Sequence, residues 1–404
     1  MSERSYAGPP DYRAVSRHGV FPDVSHDEAA RFNFLAHLNR HLATEVLPGV
    51  KRAYDSRVLP KLTAELGRAP AHRREVRAAM RDEPIYQLWS ALRRATMEQR
   101  QQAGRALVLR QLGELNARAA ALNANADTLK LDLELKLPRY VEGVDHHLMP
   151  GSYHTEVVAD DVSAAANYDA GIFATTGGGL GRLNDGAGAA LVSWLSLHAA
   201  DFKPARILDL GAGLGHNTLP IAALFPEAQV IAVDVAAPML RYGHARAKSL
   251  GVNNVQFVQA NVESLDFPDG HFDFIYSTMF LHETSFSALP RVLAEVKRLL
   301  APGGRSLHLE QPQYTQDMDV YEQFIRDWDA FNNNEPFWTT MHELDLPKIA
   351  QAVGHQAAEI VESGAAAVLD PQLFPAAALA PTAPLAAEDY GRKAAWYAFG
   401  TRAA

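Results

Sequence analysis

The stretch that most restricts how this chain of 404 residues can fold is Arg206-Ile207-Leu208-Asp209-Leu210-Gly211-Ala212-Gly213-Leu214-Gly215-His216-Asn217-Thr218. Its apolar run, Ile207 to Leu210, reads as a buried strand, the three glycines as the turn after it, and Leu219 to Leu224 as a helix. Glycines suit a turn that is tight and that a ligand approaches closely. The helix behind them offers free N–H groups and a partial positive charge. A second strand, Gln229 to Val233, ends in Asp234, and a carboxylate at that tip can accept from two ribose hydroxyls. His216 stands where a dinucleotide fingerprint has its third glycine, which points to an adenosine ligand without a pyrophosphate.

Strands near 206–210, 229–233, 255–259, 272–277 and 304–310 alternate with helices, a pattern that predicts a parallel sheet covered on both faces. Two further strands, at 358–363 and an antiparallel one at 394–401, complete a doubly wound, mostly parallel seven-stranded sheet. A ligand then sits outside the carboxyl ends of the strands, near the switch in strand order.

Five segments in order carry a resemblance. They are Leu208 to Gly215, Val233-Asp234, Gln259 to Phe267, Phe272 to Glu283, and Leu299-Leu300-Ala301-Pro302-Gly303-Gly304. Residues from about 183 to 310 resemble a class I S-adenosylmethionine-dependent methyltransferase of the UbiE-like, small-molecule type. The resemblance implies that Gly211, Gly213 and Gly215 let the cofactor lie on the turn and that Asp209 supports its methionine end. It implies Asp234 on the ribose, Val235 on the adenine face, and Asn261 with Val262 at the adenine edge. The family usually has an aspartate where Asn261 stands, but an amide oxygen can accept the same hydrogen bond. Ser277, Thr278 and Met279 are expected to face cofactor and acceptor. Tyr153 and Tyr168 are candidates to close over the cofactor or simply to pack in their loops. His282 is a candidate general base or a packed histidine, with Glu283 beside it and Glu310 as a second candidate.

Residues 1–25 read as an irregular arm. Residues 1–140 otherwise read as helical, starting at a Ser25/Glu28 capping box, interrupted by Pro48 and Pro60, and stopped at Gly67 to Pro70. This region is a candidate for dimerisation, for covering the active site, or for both. It carries 23 basic against 16 acidic side chains, whereas the remainder carries 15 against 31. That asymmetry suits an anionic partner or, more simply, solvated helical faces.

Residues 141–182 form a connecting region. Just before it, Leu129 to Leu137 reads as either helix or short strand. The segment Val144 to Glu156 holds His146, His147 and His154 around a Pro-Gly turn, read as a loop reaching the active site without a metal, with a metal site on these histidines and the glutamate as the alternative. The glycine-rich stretch Thr175 to Gly181 reads as a connector. Residues 183–404 form the catalytic domain, with an aromatic insertion at 311–345 (Tyr314, Tyr321, Phe324, Trp328, Phe331, Phe337, Trp338) that caps the substrate pocket or packs on the core. Residues 364–390 read as a loop.

The chain has no cysteine, which excludes thiolate metal sites, iron–sulfur clusters and cysteine nucleophiles. Radical chemistry on S-adenosylmethionine is therefore excluded as well. No signal peptide or membrane span is read, so a cytoplasmic protein is expected. The expected activity is methyl transfer to O, N or C of a small molecule. A nucleic-acid methyltransferase using the basic helices is the alternative, and Ser277-Thr278-Met279-Phe280 lacks that class's exocyclic-amine signature. A cofactor-binding protein without turnover is the other alternative.

Overall fold

In the computed structural model, residues 8–374 and 395–403 are described, apart from 16, 125, 133 and 315–317. Positions 1–7 of the N-terminal arm and 375–390 of the expected loop lie outside them. The sheet has eight strands: β1 (Leu129–Lys130), β2 (Arg206–Leu210), β3 (Gln229–Asp234), β4 (Val255–Gln259), β5 (Phe272–Thr278), β6 (Leu300–Glu310), β7 (Ile360–Ala366) and β8 (Ala395–Arg402). Their order is β1-β4-β3-β2-β5-β6-β8-β7. Only β8 runs against its neighbours β6 and β7. The sheet has one strand more than the expected seven because Leu129 and Lys130 pair in parallel with Phe257 and Val258. Two residues are too few for a periodicity signal.

β2 lies at the centre, with β3 on one side and β5 on the other, so the strand order switches where the glycine turn leaves the sheet. One face of the sheet buries Ile207, Val230, Ala232, Phe274 and Tyr276 against the helix Gly186–His198. The other buries Leu208, Ile231, Val233 and Ile275 against Leu289–Leu299. This is the period-2 alternation of a strand covered on both sides.

Pro48 and Pro60 do not interrupt the first helix, which continues through residues 26–66. Each proline follows a π turn, Leu42–Val46 or Tyr54–Val58. There Leu47 and Leu59 donate to the carbonyls of Leu42 and Tyr54, five residues back. The wider turn relieves the clash between a proline ring and the carbonyl four residues before it. Gly67, in the left-handed conformation, ends the helix.

The helical segments pack directly on the sheet domain. Val108 and Leu115 share a buried cluster with Leu214, Met239 and Tyr242. Pro84–Leu109 crosses Ser163–Thr176 closely at Gly104, where a Cβ would lie 2.1 Å from Asn167 Oδ1. The basic N-terminal region meets the acidic insertion: Arg73 and Arg77 both bond Asp327, Arg73 also bonds Glu343, and Arg93 pairs with Asp329. Much of the charge asymmetry is thus met within the chain.

Asp169 joins the layers. Its carboxylate is fully buried and accepts from His18 Nε2 (2.9 Å), Tyr242 Oη (2.8 Å), His216 Nε2 (2.9 Å) and Asn184 Nδ2 (2.9 Å). Burial pushes its pKa up, but the bonds from His18 and His216 outweigh that and hold it well below the usual carboxylate range. Removing this acceptor takes the partner from the buried donors of His18, His216 and Tyr242, while Asn184 Nδ2 keeps the Asp169 carbonyl oxygen at 3.2 Å. Asp169→Ala is therefore expected to lose about 3–5 kcal/mol in denaturant unfolding at pH 7, and a loss below about 1 kcal/mol would contradict this role.

Candidate active site

The glycine turn is held by backbone geometry that only glycine adopts readily. Gly211, Gly213 and Gly215 have φ of 66°, 54° and 75°. At Gly211 a Cβ would also lie 2.1 Å from the Phe280 ring. Asp234, at the tip of β3, accepts from Gly213 N (2.8 Å) and Ala236 N (2.9 Å), so it fixes the turn from the neighbouring strand. Val235 is half-buried next to it.

Asp209, inside β2, accepts from Thr218 Oγ1 (2.6 Å) and Tyr276 Oη (3.0 Å). It therefore braces the turn from below. Asn261 Oδ1 accepts from Glu263 N (3.0 Å), and the Val262 side chain packs in the core beneath β3.

Strand alternation separates the next three candidates. Ser277 does not face the site: it is fully buried and bonds His308 Nδ1 (2.8 Å). Thr278, on the opposite face, accepts from Asn217 Nδ2 (2.8 Å). Met279 has φ of 52°, a conformation costly for a non-glycine residue, and its N–H bonds Leu309 O (2.8 Å).

Beyond Met279 the chain makes a short 3-10 turn, Leu281–Glu283. Glu310, at the end of β6, accepts from Phe280 N (2.8 Å), Leu281 N (2.6 Å) and His282 Nδ1 (2.6 Å). Burial pulls the His282 pKa down, yet Glu310 and the other nearby carboxylates lift it to about 9. The pair with Glu310 favours the charged imidazole and holds His282 in the wall of the site.

Glu283 gathers groups from separate parts of the chain. It accepts from Tyr153 Oη (2.8 Å) and lies 3.1 Å from His146 Nε2 and 3.5 Å from His147 Nε2. Glu335, from the insertion, stands 2.5 Å from His147 Nδ1. Tyr168 lies between Tyr153 and His216, with ring centroids 5.8 and 6.0 Å away, and the buried Arg100 lies over it. Burial lowers His147 to about 4 and lowers His146 as well. Burial and then Glu283 push the Glu335 carboxyl well above its usual value.

His154 and Glu156 are not part of this cluster. His154 is half-buried outside it, and Glu156 pairs with Arg241. Within the insertion, Trp338 reaches the site, edge-on to His282 at 4.9 Å. Tyr321, Phe324 and Trp328 pack against the helical region instead.

Sequence reading did not single out Arg100, Asn217 or Glu335. Arg100 was legible as a charge on the buried face of its helix, in step with Met97, Gly104 and Leu107. Glu335 sat unremarked in the polar run Asn332 to Pro336.

The pKa of Asp209 carries a testable consequence. Burial raises it to about 7, with Asp234 adding and the Thr218 and Tyr276 bonds opposing. Because the folded value exceeds the unfolded one, its stability contribution is full below about pH 4 and is lost as pH rises through about 7. Asp209→Asn removes this titration. Relative to the wild type, the variant should gain about 2–3 kcal/mol between pH 5 and pH 8 in denaturant unfolding; a pH-independent difference would refute the assignment.

A family model described as a methyltransferase domain matches residues 207–304. The demethylmenaquinone methyltransferase of Thermus thermophilus is 39% identical over 114 residues, covering 28% of this chain and 50% of that protein. The ubiquinone/menaquinone biosynthesis C-methyltransferase UbiE of Pseudomonas savastanoi is 41% identical over 107 residues, or 26% and 41%. The chain thus spans about half the length of these curated relatives. Phosphoethanolamine N-methyltransferase 2 of Haemonchus contortus, solved with phosphomonomethylethanolamine and S-adenosylhomocysteine, is 17% identical with a TM-score of 0.39, covering 61% of this chain and 60% of that one. No helix among the described residues is long and apolar enough to cross a membrane. With the strand order, the positive-φ glycine turn and the acid at the tip of β3, the matched segment belongs to the class I S-adenosylmethionine-dependent methyltransferase family.

Proposed function

We propose that this protein transfers a methyl group from S-adenosylmethionine to a small organic acceptor. The observation that carries this reading is the turn at Gly211, Gly213 and Gly215, locked to Asp234 at the strand-order switch and opening next to an enclosed polar cluster. The sulfonium already activates the methyl group, so the protein's work is to position the acceptor in line and exclude water. Asp234 keeps lone pairs free for the ribose hydroxyls, and Val235 and Asn261 flank the adenine. Tyr153 and Tyr168 close the site from the connecting region.

The exposure of the cluster limits the acceptor's size. Glu283 is 15% exposed, His147 20% and Glu335 1%. Groups so enclosed suit a small molecule that can be wrapped rather than a nucleic-acid strand. Glu283 forms the anionic end of the acceptor pocket, and the His282–Glu310 pair holds it in place from behind. The helical region acts first as a cover, because Arg100 and Gln101 reach the cluster and the loop at His147.

The expected homodimer would pair through the helical region, where Leu88 and Leu92, one helical turn apart, are 54% and 37% exposed. A doubled mass in sedimentation that reverts in a Leu88→Lys, Leu92→Lys variant supports it, and a monomeric wild type refutes it.

Calorimetric titration with S-adenosylmethionine and S-adenosylhomocysteine tests the main proposal. Both are expected to bind with micromolar affinity, and Asp234→Asn should weaken them about 10–100-fold through loss of charge-assisted hydrogen bonds. A wild type that binds neither would sink the proposal.

A further inference from the structure

We propose that His147, Glu283 and Glu335 form a binding site for one divalent first-row transition-metal ion, of the Zn²⁺, Fe²⁺ or Mn²⁺ type, in the acceptor pocket. One ligand atom from each lies within 4.8 Å of the others. Two metal–ligand bonds of about 2.1 Å span at most about 4.2 Å, so the set closes on an ion by moving about half an ångström. An imidazole nitrogen with two carboxylates, and no thiolate, is a donor set for these ions.

An independent observation shows that the cluster lacks a component. Glu335 is 1% exposed, yet neither of its carboxylate oxygens accepts a hydrogen bond. Its contact with His147 Nδ1 is short but is not a hydrogen bond. Glu283 Oε2 and His146 Nε2 face each other in the same way at 3.1 Å. Glu335 is thus a buried carboxyl with unfilled lone pairs beside a second carboxylate and an imidazole, a demand that a cation meets. Around it, Tyr153 Oη donates to Glu283 Oε1, fixing that carboxylate from outside the proposed coordination set.

The three ligands come from three segments: the connecting loop, the turn after β5, and the insertion. An ion here would pin the cover to the catalytic core. With three protein ligands it would leave coordination positions for an acceptor oxygen, selecting acceptors that present a hydroxyl or carboxylate. This proposal deepens the methyltransferase reading and rests on it only for the identity of the pocket.

The test is direct metal binding by the full-length protein after treatment with chelator, titrated with Zn²⁺ and with Co²⁺ as a spectroscopic probe. The wild type is expected to bind one equivalent of either, to show Co²⁺ ligand-field bands, and to melt at a higher temperature when loaded. Glu335→Gln should weaken binding at least about tenfold. His147→Asn serves as the second variant, because asparagine tolerates the φ of 53° at that position, and it should weaken binding likewise. S-adenosylhomocysteine affinity, measured in parallel, should persist in both variants. Failure of the wild type to bind either ion stoichiometrically, or binding that survives both substitutions, overturns the site. Failure to bind S-adenosylhomocysteine overturns the methyltransferase reading instead.

Discussion

The architecture depends on a single buried carboxylate. Asp169 lies on a helix of the connecting region and collects donors from the N-terminal arm, the glycine turn, the helix after β3 and the segment before β2. A buried charge is tolerated only when its lone pairs are filled. Each of those four segments is therefore fixed relative to the others by the same requirement. His216 is the donor from the glycine turn, so the position that departs from a dinucleotide fingerprint is also the one that ties the cofactor turn to the rest of the chain. The glycine turn and the N-terminal arm are held in register by one residue outside both.

The second polar centre is arranged differently. Where Asp169 is saturated, the Glu283 cluster brings two carboxylates and two imidazoles together with lone pairs unspent. The backbone beside it is strained: His147, Leu148, Met279 and Asn334 all have positive φ. Such conformations cost about 1–3 kcal/mol each and persist where the surroundings over-determine them, often at functional sites. The same segments carry the groups that converge there. Stability has been traded for a particular arrangement of polar groups next to the proposed methyl-transfer site.

Charge is distributed in keeping with this layering. The arginines of the second and third helical segments face the acidic insertion, and Asp327 alone is reached by Arg73, Arg77, Tyr314 and Thr339. These contacts hold the insertion against the helical region, which in turn places Glu335 and Trp338 over the turn after β5.

The glycine turn, the acid closing β3 and the alternation of apolar runs were readable from sequence because they are local: each depends on neighbours a few residues away. The two-residue β1 was legible only as one of two alternatives for Leu129 to Leu137, since it exists only by pairing with β4, and the helix that runs through Pro48 and Pro60 was not legible, since it exists only by shifting hydrogen bonds to π spacing. Ser277 was expected to face the site, and its burial against His308 emerged only in the fold. His282 was legible as a residue of the site, but its pairing with Glu310, 28 positions away, was not. His147, Glu283 and Glu335 could each be seen as ionisable groups in three separate segments. Sequence by itself determined the sheet, its order of elements and the cofactor turn, which rest on short-range periodicity and backbone geometry. Which polar side chains share one buried point was decided only by tertiary packing, because desolvation and charge pairing act across space.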